Sequence, residues 1–382
     1  LLGIPFYPFV RASEVDASNI GELYPERARL RGLALIRFDG NVFFVSDVGN
    51  HFEDVRDIDA AFPFDVLFCD DGFYAMKPIK DRLGKRVCAV GAAPVMEADD
   101  DAPPNFMGLR PATNPFSRLA QRGMRAMMDV LVMNEMKDSF NAVLAAHDVA
   151  PIEDAFLDLP YRCPDVVFQS GAPGFAYPRR KPNPKIGYVG ALLPYKASIA
   201  APFAQADKLT AGRPVIFISQ GTVEKDASKL IAPALEALKD TGALLVVTTG
   251  YGQTEALRTA YPQDNIIIED FVDFDFILDR ADLFICNGGY GSVLFSLSKG
   301  VPILGAGVQE GKNAVNAHVD YFGDGIDLRS ERPKPADIRA AAKRLLTEPR
   351  YRQNVARLRN EFNSYHPFEL IDAYLAQANG RA

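Results

Sequence analysis

The second half of this chain alternates short, largely apolar runs with stretches of helical length, and this rhythm limits the fold more than any other feature. The runs lie at 214–219, 243–248, 265–268, 282–286 and 301–304, with helix-length segments at 227–240 and 292–299 among them. Runs this short and this apolar read as strands buried on both faces, which requires a helical layer above and below the sheet. The expected fold is therefore α/β, with a doubly wound parallel sheet. The first half shows the pattern less clearly. A run at 65–69 ends in Asp70-Asp71-Gly72, a helical stretch reaches Leu83, and a second run follows at 86–90. Strand, helix and strand in so short a span make one right-handed βαβ unit.

A chain of 382 residues, at roughly 150 per domain, is expected to form two domains. Pro178, Pro182, Pro184, Pro194, Pro202 and Pro214, with Arg179-Arg180-Lys181, describe an irregular connector over about 178–213. The expected division is an N-terminal domain at 1–205, a C-terminal domain at 206–362, and a closing helix at 363–382 that returns to the N-terminal domain. The opening Gly3-Ile4-Pro5-Phe6-Tyr7-Pro8-Phe9 reads as a strand entered from an upstream helix, so the first domain is expected to lack its first strand. Residues 116–147 read as one long helix, with apolar positions at Phe116, Leu119, Ala120, Met124, Met127, Leu131 and Met136. The stretch 338–375 reads as helical, broken at His366-Pro367.

The formal charge is -7, and no stretch gathers enough Lys and Arg to follow a phosphate backbone, so nucleic acid is excluded as a partner. The four cysteines, Cys69, Cys88, Cys163 and Cys286, lie far apart with no His at ligand spacing. They read as reduced thiols rather than disulfides or zinc ligands. No apolar run has the length of a membrane span and none reads as a signal peptide. The expectation is a cytoplasmic monomer or homodimer, with peripheral membrane contact left open.

The strongest local feature is Phe284-Ile285-Cys286-Asn287-Gly288-Gly289-Tyr290-Gly291-Ser292, a buried strand running into a glycine-rich turn that opens a helix. Glycine lets backbone N–H groups approach an anion, and a helix N-terminus adds partial positive charge worth roughly 0.3 to 2 kcal/mol. A phosphate or diphosphate suits this arrangement. A plain tight turn suits the same residues, and spacing alone does not choose between them.

The wider pattern resembles the signature region of family 1 glycosyltransferases. Its pieces are Asn287-Gly288-Gly289, Ser292, Gly300-Val301-Pro302, Asn316-Ala317-His318-Val319 and Gly323-Asp324-Gly325. Upstream, Phe271-Val272-Asp273-Phe274 stands where that family frames the nucleobase, and Ser219-Gln220-Gly221-Thr222 where its first C-domain loop touches ribose and phosphate. Asn at 287, where many members have His, looks closer to a bacterial, macrolide-type branch of the UDP-glycosyltransferase-like enzymes.

The resemblance implies the GT-B architecture, two Rossmann-like domains facing across a cleft, and an inverting, metal-independent reaction. A hexose would pass from a UDP-sugar, the co-substrate, to a hydroxyl of an apolar small molecule or lipid, with no cofactor. It implies donor contacts at Gly221, Thr222, Val272, Phe274, Asn287, Gly288, Gly289, Gly291 and Ser292, and sugar-reading residues at Glu310, Lys312 and Asn313. Asp70 stands where the family places an Asp that orients a catalytic His, and that His would lie upstream of this chain. Phe295 stands where many relatives hold ribose with a Glu, so ribose must be held differently. The alternative is a non-catalytic relative that binds a nucleotide sugar or supports another transferase. A nucleotide-sugar epimerase shares the two-domain plan but not the spacing from Gly300-Val301-Pro302 to Asn316.

Other signals point to structure. Asp273-Phe274-Asp275 and Asp99-Asp100-Asp101 imitate a metal-binding D-x-D motif and read as solvated carboxylates. His51 reads as the start of a helix in a surface loop rather than a base, and His318 and His366 as structural. Met124, Met127, Met128, Met133 and Met136 read as core rather than as an acceptor pocket, with Arg118, Arg122 and Arg125 on a solvated face.

Overall fold

The computed structural model describes residues 3–16, 19–193, 203, 205–210 and 212–378. Contacts divide the chain into two units, the first made of residues 1–104, 112–169 and 178–187, the second of 105–111, 170–177 and 188–382. The change of unit thus falls between Gly187 and Tyr188, ahead of the boundary expected near 205. The cause is a short strand, Ile186–Tyr188, that takes up part of the expected connector and joins the first sheet. Residues 194–202, 204 and 211 of that connector lie outside the described residues. The closing helix, Pro367–Ala378, was expected with the first domain; its contacts group it with the second unit.

The first unit carries a sheet of β1 (Val66–Asp70), β2 (Arg86–Gly91), β3 (Val166–Gln169) and β4 (Ile186–Tyr188), in that order. β1, β2 and β3 run parallel, with Cys69 opposite Ala89 and Ala89 opposite Val167. The helix Met76–Leu83 crosses from β1 to β2 and stops at Gly84, whose φ of 67° is the left-handed conformation that ends helices. The expected long helix forms in three pieces: Pro115–Met128, a wide π turn at Asp129–Met133, and Asn134–Ala146. It starts where the Asn114 side chain accepts the Ser117 N–H at 2.9 Å while the Ser117 hydroxyl accepts the Asn114 N–H. Val132, Met133, Met136, Phe140 and Leu144 pack with Phe52, Tyr74 and Phe156 in the core of the unit, while Met127 is exposed.

The arginines on this helix are not simply solvated. Arg118 pairs with Asp101 at 3.0 Å and Arg122 with Asp100 at 2.8 Å, and Arg125 donates to the carbonyls of Asp99 and Ala102. Asp99 is buried, accepting the N–H groups of Arg180 and Lys181 at 3.1 Å. Helix and acidic loop neutralise each other, which is why neither behaves as the free charged face expected from sequence.

The second unit is a parallel sheet of β5 (Val215–Ser219), β6 (Leu244–Thr248), β7 (Ile266–Glu269), β8 (Leu283–Cys286), β9 (Ile303–Gly305) and β10 (Gly325–Asp327). Its order is β10-β9-β8-β5-β6-β7. Every residue of β5, β6 and β8 is buried, because successive side chains alternate between two apolar layers. Phe217, Val246 and Phe284 enter one layer with Val293 and Leu297; Ile216, Ile218, Leu245 and Ile285 enter the other with Leu235. The chain builds outward from β5 to β7, then returns to lay β8 on the other side of β5, with Ser219 opposite Cys286. This reversal is the topological switch point of a doubly wound sheet, outside whose strand ends ligands bind.

Candidate functional site

Two loops diverge at that switch point. After β5 come Gly221 (φ 80°) and Thr222, both exposed; after β8 comes the turn Asn287-Gly288-Gly289. Asn287 clasps them together: its Nδ2 donates to the Gln220 carbonyl and its Oδ1 accepts the Gly289 N–H at 3.3 Å. Gln220 is itself fixed, accepting the Ile231 N–H and donating to the Glu224 carbonyl, each at 3.3 Å. The helix Tyr290–Lys299 begins here at Gly289, and no side chain caps it. The Ser292 hydroxyl donates to the Gly289 carbonyl at 2.9 Å instead of accepting from the first turn. An uncapped first turn at a switch point is a ready anion site. Asn287, Gly288, Gly289, Gly291 and Ser292 are therefore placed together, beside Gly221 and Thr222.

The sugar-reading positions are split. A Cβ on Gly307 would lie 2.3 Å from the Asn287 carbonyl and 3.4 Å from Lys312 Cδ, so Lys312 stands beside the turn. Lys312 pairs with Glu310 at 2.5 Å. Asn313 is committed elsewhere: its Nδ2 donates to the Phe106 carbonyl at 2.6 Å and its Oδ1 accepts the Ala314 N–H at 2.8 Å.

The segment expected to frame the nucleobase turns part of its side chains onto the core. The Phe274 ring, partly buried, packs against Phe217 at 4.8 Å, Phe284 at 6.1 Å and Phe295 at 6.3 Å on the edge of the core. Val272 is also half-buried against that core. The reason is the turn before them: Asp273 caps the helix Phe274–Leu278 by accepting the N–H groups of Asp275 and Phe276, which swings Phe274 inward. Asp275 pairs with Lys299 at 2.6 Å, so this D-x-D is a cap and an ion pair, not a pair of solvated carboxylates. The exposed aromatics are Tyr251 and Phe271, edge to face at 4.7 Å and 72% and 51% accessible. They sit beyond the tips of β6 and β7, which are tied by the Gly250 N–H and the Thr248 hydroxyl, both donating to the Asp270 carbonyl. Tyr251 escapes a motif search; its signal is an aromatic directly after Gly250 at a strand end. Phe295, in the place of a ribose-binding Glu, is buried in the core.

In the first unit the sequence pattern points to Asp70, and the structure gives it and its neighbour Asp71 different surroundings. Asp70 is exposed and its carboxylate folds back onto the Gly72 N–H at 2.7 Å. Asp71 is buried, with the Tyr161 hydroxyl 3.5 Å away. Burial, then the nearby Asp70 charge, pushes the Asp71 carboxyl up to about 7. Perturbed carboxyls of this kind gather at functional sites. His51 lies in the first turn of the helix Val48–Ala61, half-buried and edge-on to Phe9 at 5.0 Å and Phe73 at 5.2 Å, rather than in a loop. His318 is buried and stacks on Tyr177 at 3.6 Å; His366 is exposed just before the closing helix. All four cysteines are free, and burial pushes the Cys69 and Cys286 thiols up to about 12 and those of Cys88 and Cys163 to about 11. Such thiols are poor nucleophiles. Among the described residues no three His, Cys, Asp or Glu side chains group as metal ligands do, and no helix is long and apolar enough to cross a membrane.

Residues 232–376 match the family described as "Erythromycin biosynthesis protein CIII-like, C-terminal domain". The chain is 30% identical over 352 residues to 4'-demethylrebeccamycin synthase of Lentzea aerocolonigenes, covering 91% of this chain and 83% of that one. The chain belongs to the family 1 glycosyltransferases. The likeness of this glycosyltransferase also extends to fungi: it is 27% identical over 321 residues to UDP-glycosyltransferase 2 of Phaeomoniella chlamydospora, covering 80% of this chain and 69% of that one. Its fold is GT-B, as in the kitacinnamycin glycosyltransferase, matched with a TM-score of 0.70 and 18% identity over 91% of this chain and 83% of that one. The enzyme is a nucleotide-sugar-dependent transferase.

Proposed function

We propose that this glycosyltransferase moves a hexose from a UDP-sugar to a hydroxyl of an apolar small molecule or lipid, with inversion and without a metal or cofactor. One observation carries the donor half: an uncapped helix, Tyr290–Lys299, opens at the switch point with its entry turn clasped by Asn287. The acceptor oxygen bonds to the anomeric carbon as the bond from that carbon to the phosphate oxygen breaks, and one in-line displacement inverts the centre. The bonding pair leaves with the diphosphate. The backbone N–H groups at 290–292, the second amide proton of Asn287 and the Lys312 ammonium meet the charge that develops there, and fixed donors of this kind need no reorganisation. Gly221 and Thr222 serve the same diphosphate from the facing loop, and the exposed Tyr251 and Phe271 rings suit a base.

The acceptor proton passes to a base, and Asp71 suits the task of orienting it: a buried carboxyl holds its geometry, whereas Asp70 is spent on its own turn. A relative named for UDP supports a uridine donor, and proteins named for 4'-demethylrebeccamycin and kitacinnamycin support small-molecule acceptors. The test is a melting experiment followed by product analysis. UDP at a hundred times its dissociation constant adds about 2.7 kcal/mol of stability. An unmoved melting temperature with UDP and dTDP alike defeats the donor site. If UDP binds, mass spectrometry of UDP- and dTDP-sugars with mixed acceptors should show a mass gain of one hexose. Binding with no product from any pairing favours a non-catalytic nucleotide-sugar binder.

A further inference from the structure

Asn316 takes no part in the chemistry above, yet it is wholly buried beneath the diphosphate turn, on the helix Lys312–Phe322. Its Nδ2 donates to two carbonyls, Gly307 at 3.1 Å and Asn287 at 3.4 Å. Two glycines make room for it. A Cβ on Gly288, whose φ is 90°, would stand 2.4 Å from Asn316 Oδ1, and a Cβ on Gly305 only 2.2 Å from the same atom. Oδ1 itself has no hydrogen-bond partner among the described residues. A buried amide that forgoes a hydrogen bond costs stability, so a seat built around one calls for a compensating role.

We propose that Asn316 is the positioning residue of the diphosphate turn. By holding the Asn287 carbonyl against the Gly307 carbonyl it fixes the plane of the Asn287–Gly288 peptide, because that unit is flat. The plane in turn sets where the Asn287 side chain reaches and how the amides at 289–292 enter the helix. Asn suits the seat because one nitrogen carries two protons at short reach; an ionised Asp would repel both carbonyls, and Gln is a methylene too long. The role rests on the donor site proposed above.

The test uses the whole chain and two ligands: UDP, followed by isothermal titration, and uridine, which lacks phosphate, followed by saturation-transfer NMR. Asn316→Ala should weaken UDP by about tenfold or more and leave uridine within about twofold. Gly305→Ala, which unseats the amide without altering it, should give the same selective loss. Asn316→Asp should regain UDP affinity relative to the natural chain as the pH is lowered, since only the protonated carboxyl can donate. If Asn316→Ala fails to fold, the other two variants decide. Equal losses for UDP and uridine would make Asn316 a structural residue and overturn the proposal. Unchanged UDP affinity in the variants also overturns it, while binding by the natural chain leaves the donor site standing. A natural chain that binds neither UDP nor dTDP removes the donor site, and this role with it.

Discussion

The two sheets place their loops by different means. In the second unit β5, β6 and β8 are buried along their whole length between two apolar layers, whereas β1 in the first unit leaves Phe68 and Asp70 exposed. A strand gripped on both faces has a fixed register, so its tip can offer backbone N–H groups in a set direction. The β8 tip does so, with glycines where side chains would collide. The β1 tip is shaped by side chains instead: Asp70 turned onto Gly72, and Asp71 buried near the Tyr161 hydroxyl. On the function proposed above, binding of the donor is a property of backbone geometry, and activation of the acceptor a property of one carboxyl's surroundings. The two regions should respond to mutation and to pH in different ways.

The contrast is tested most severely at Asp71. Asp71→Asn should lower turnover by roughly 10²- to 10⁴-fold, the span of general-base effects, while UDP affinity by titration stays within about twofold. Asp70→Asn should cost less, and the reverse order would return the role to Asp70. Because the Asp71 carboxyl stands at about 7, turnover should rise as the pH passes upward through that value. Next in size is the core. Phe284→Ala, at a fully buried position of β8, should cost about 3–5 kcal/mol in urea unfolding. Phe68→Ala, on the open face of β1, should cost about 1 kcal/mol or less. Similar losses would mean that both sheets are gripped alike.

Asp324 probes the second unit by pH. It is fully buried with neither oxygen paired among the described residues, and burial pushes its carboxyl up to about 7 against the pull of Arg357. The folded state therefore holds that proton more tightly than the unfolded chain, and stability falls as the pH rises from about 4 to about 7. Asp324→Asn should gain about 2–4 kcal/mol at pH near 8 and little near 4, read by urea unfolding at both. A smaller effect is expected at the clasp. Asn287→Ala should weaken UDP about tenfold, as the ties to the Gln220 carbonyl and the Gly289 N–H are lost. Kinetics and affinity left unchanged would remove Asn287 from the site.

Sequence alone determined whatever depends on near neighbours along the chain. Strands buried on both faces leave unbroken apolar runs, so β5, β6, β8 and the α/β class are legible, and so is the turn at 287–292, where glycine and helix start are both local. β10 has three residues and β4 lies among prolines, too little for a pattern to show. Tertiary structure decided whatever depends on residues far away. The Asp71 carboxyl is raised because the fold buries it beside the Asp70 charge, which no local pattern announces. Phe274 turns onto the core because Phe217 and Phe284 wait there, leaving Phe271 outside with Tyr251. Asn316 acquires its place only where Gly288 and Gly305 make space for it. Periodicity is written in adjacent residues, but burial and the aim of a side chain are set by whatever the fold brings alongside.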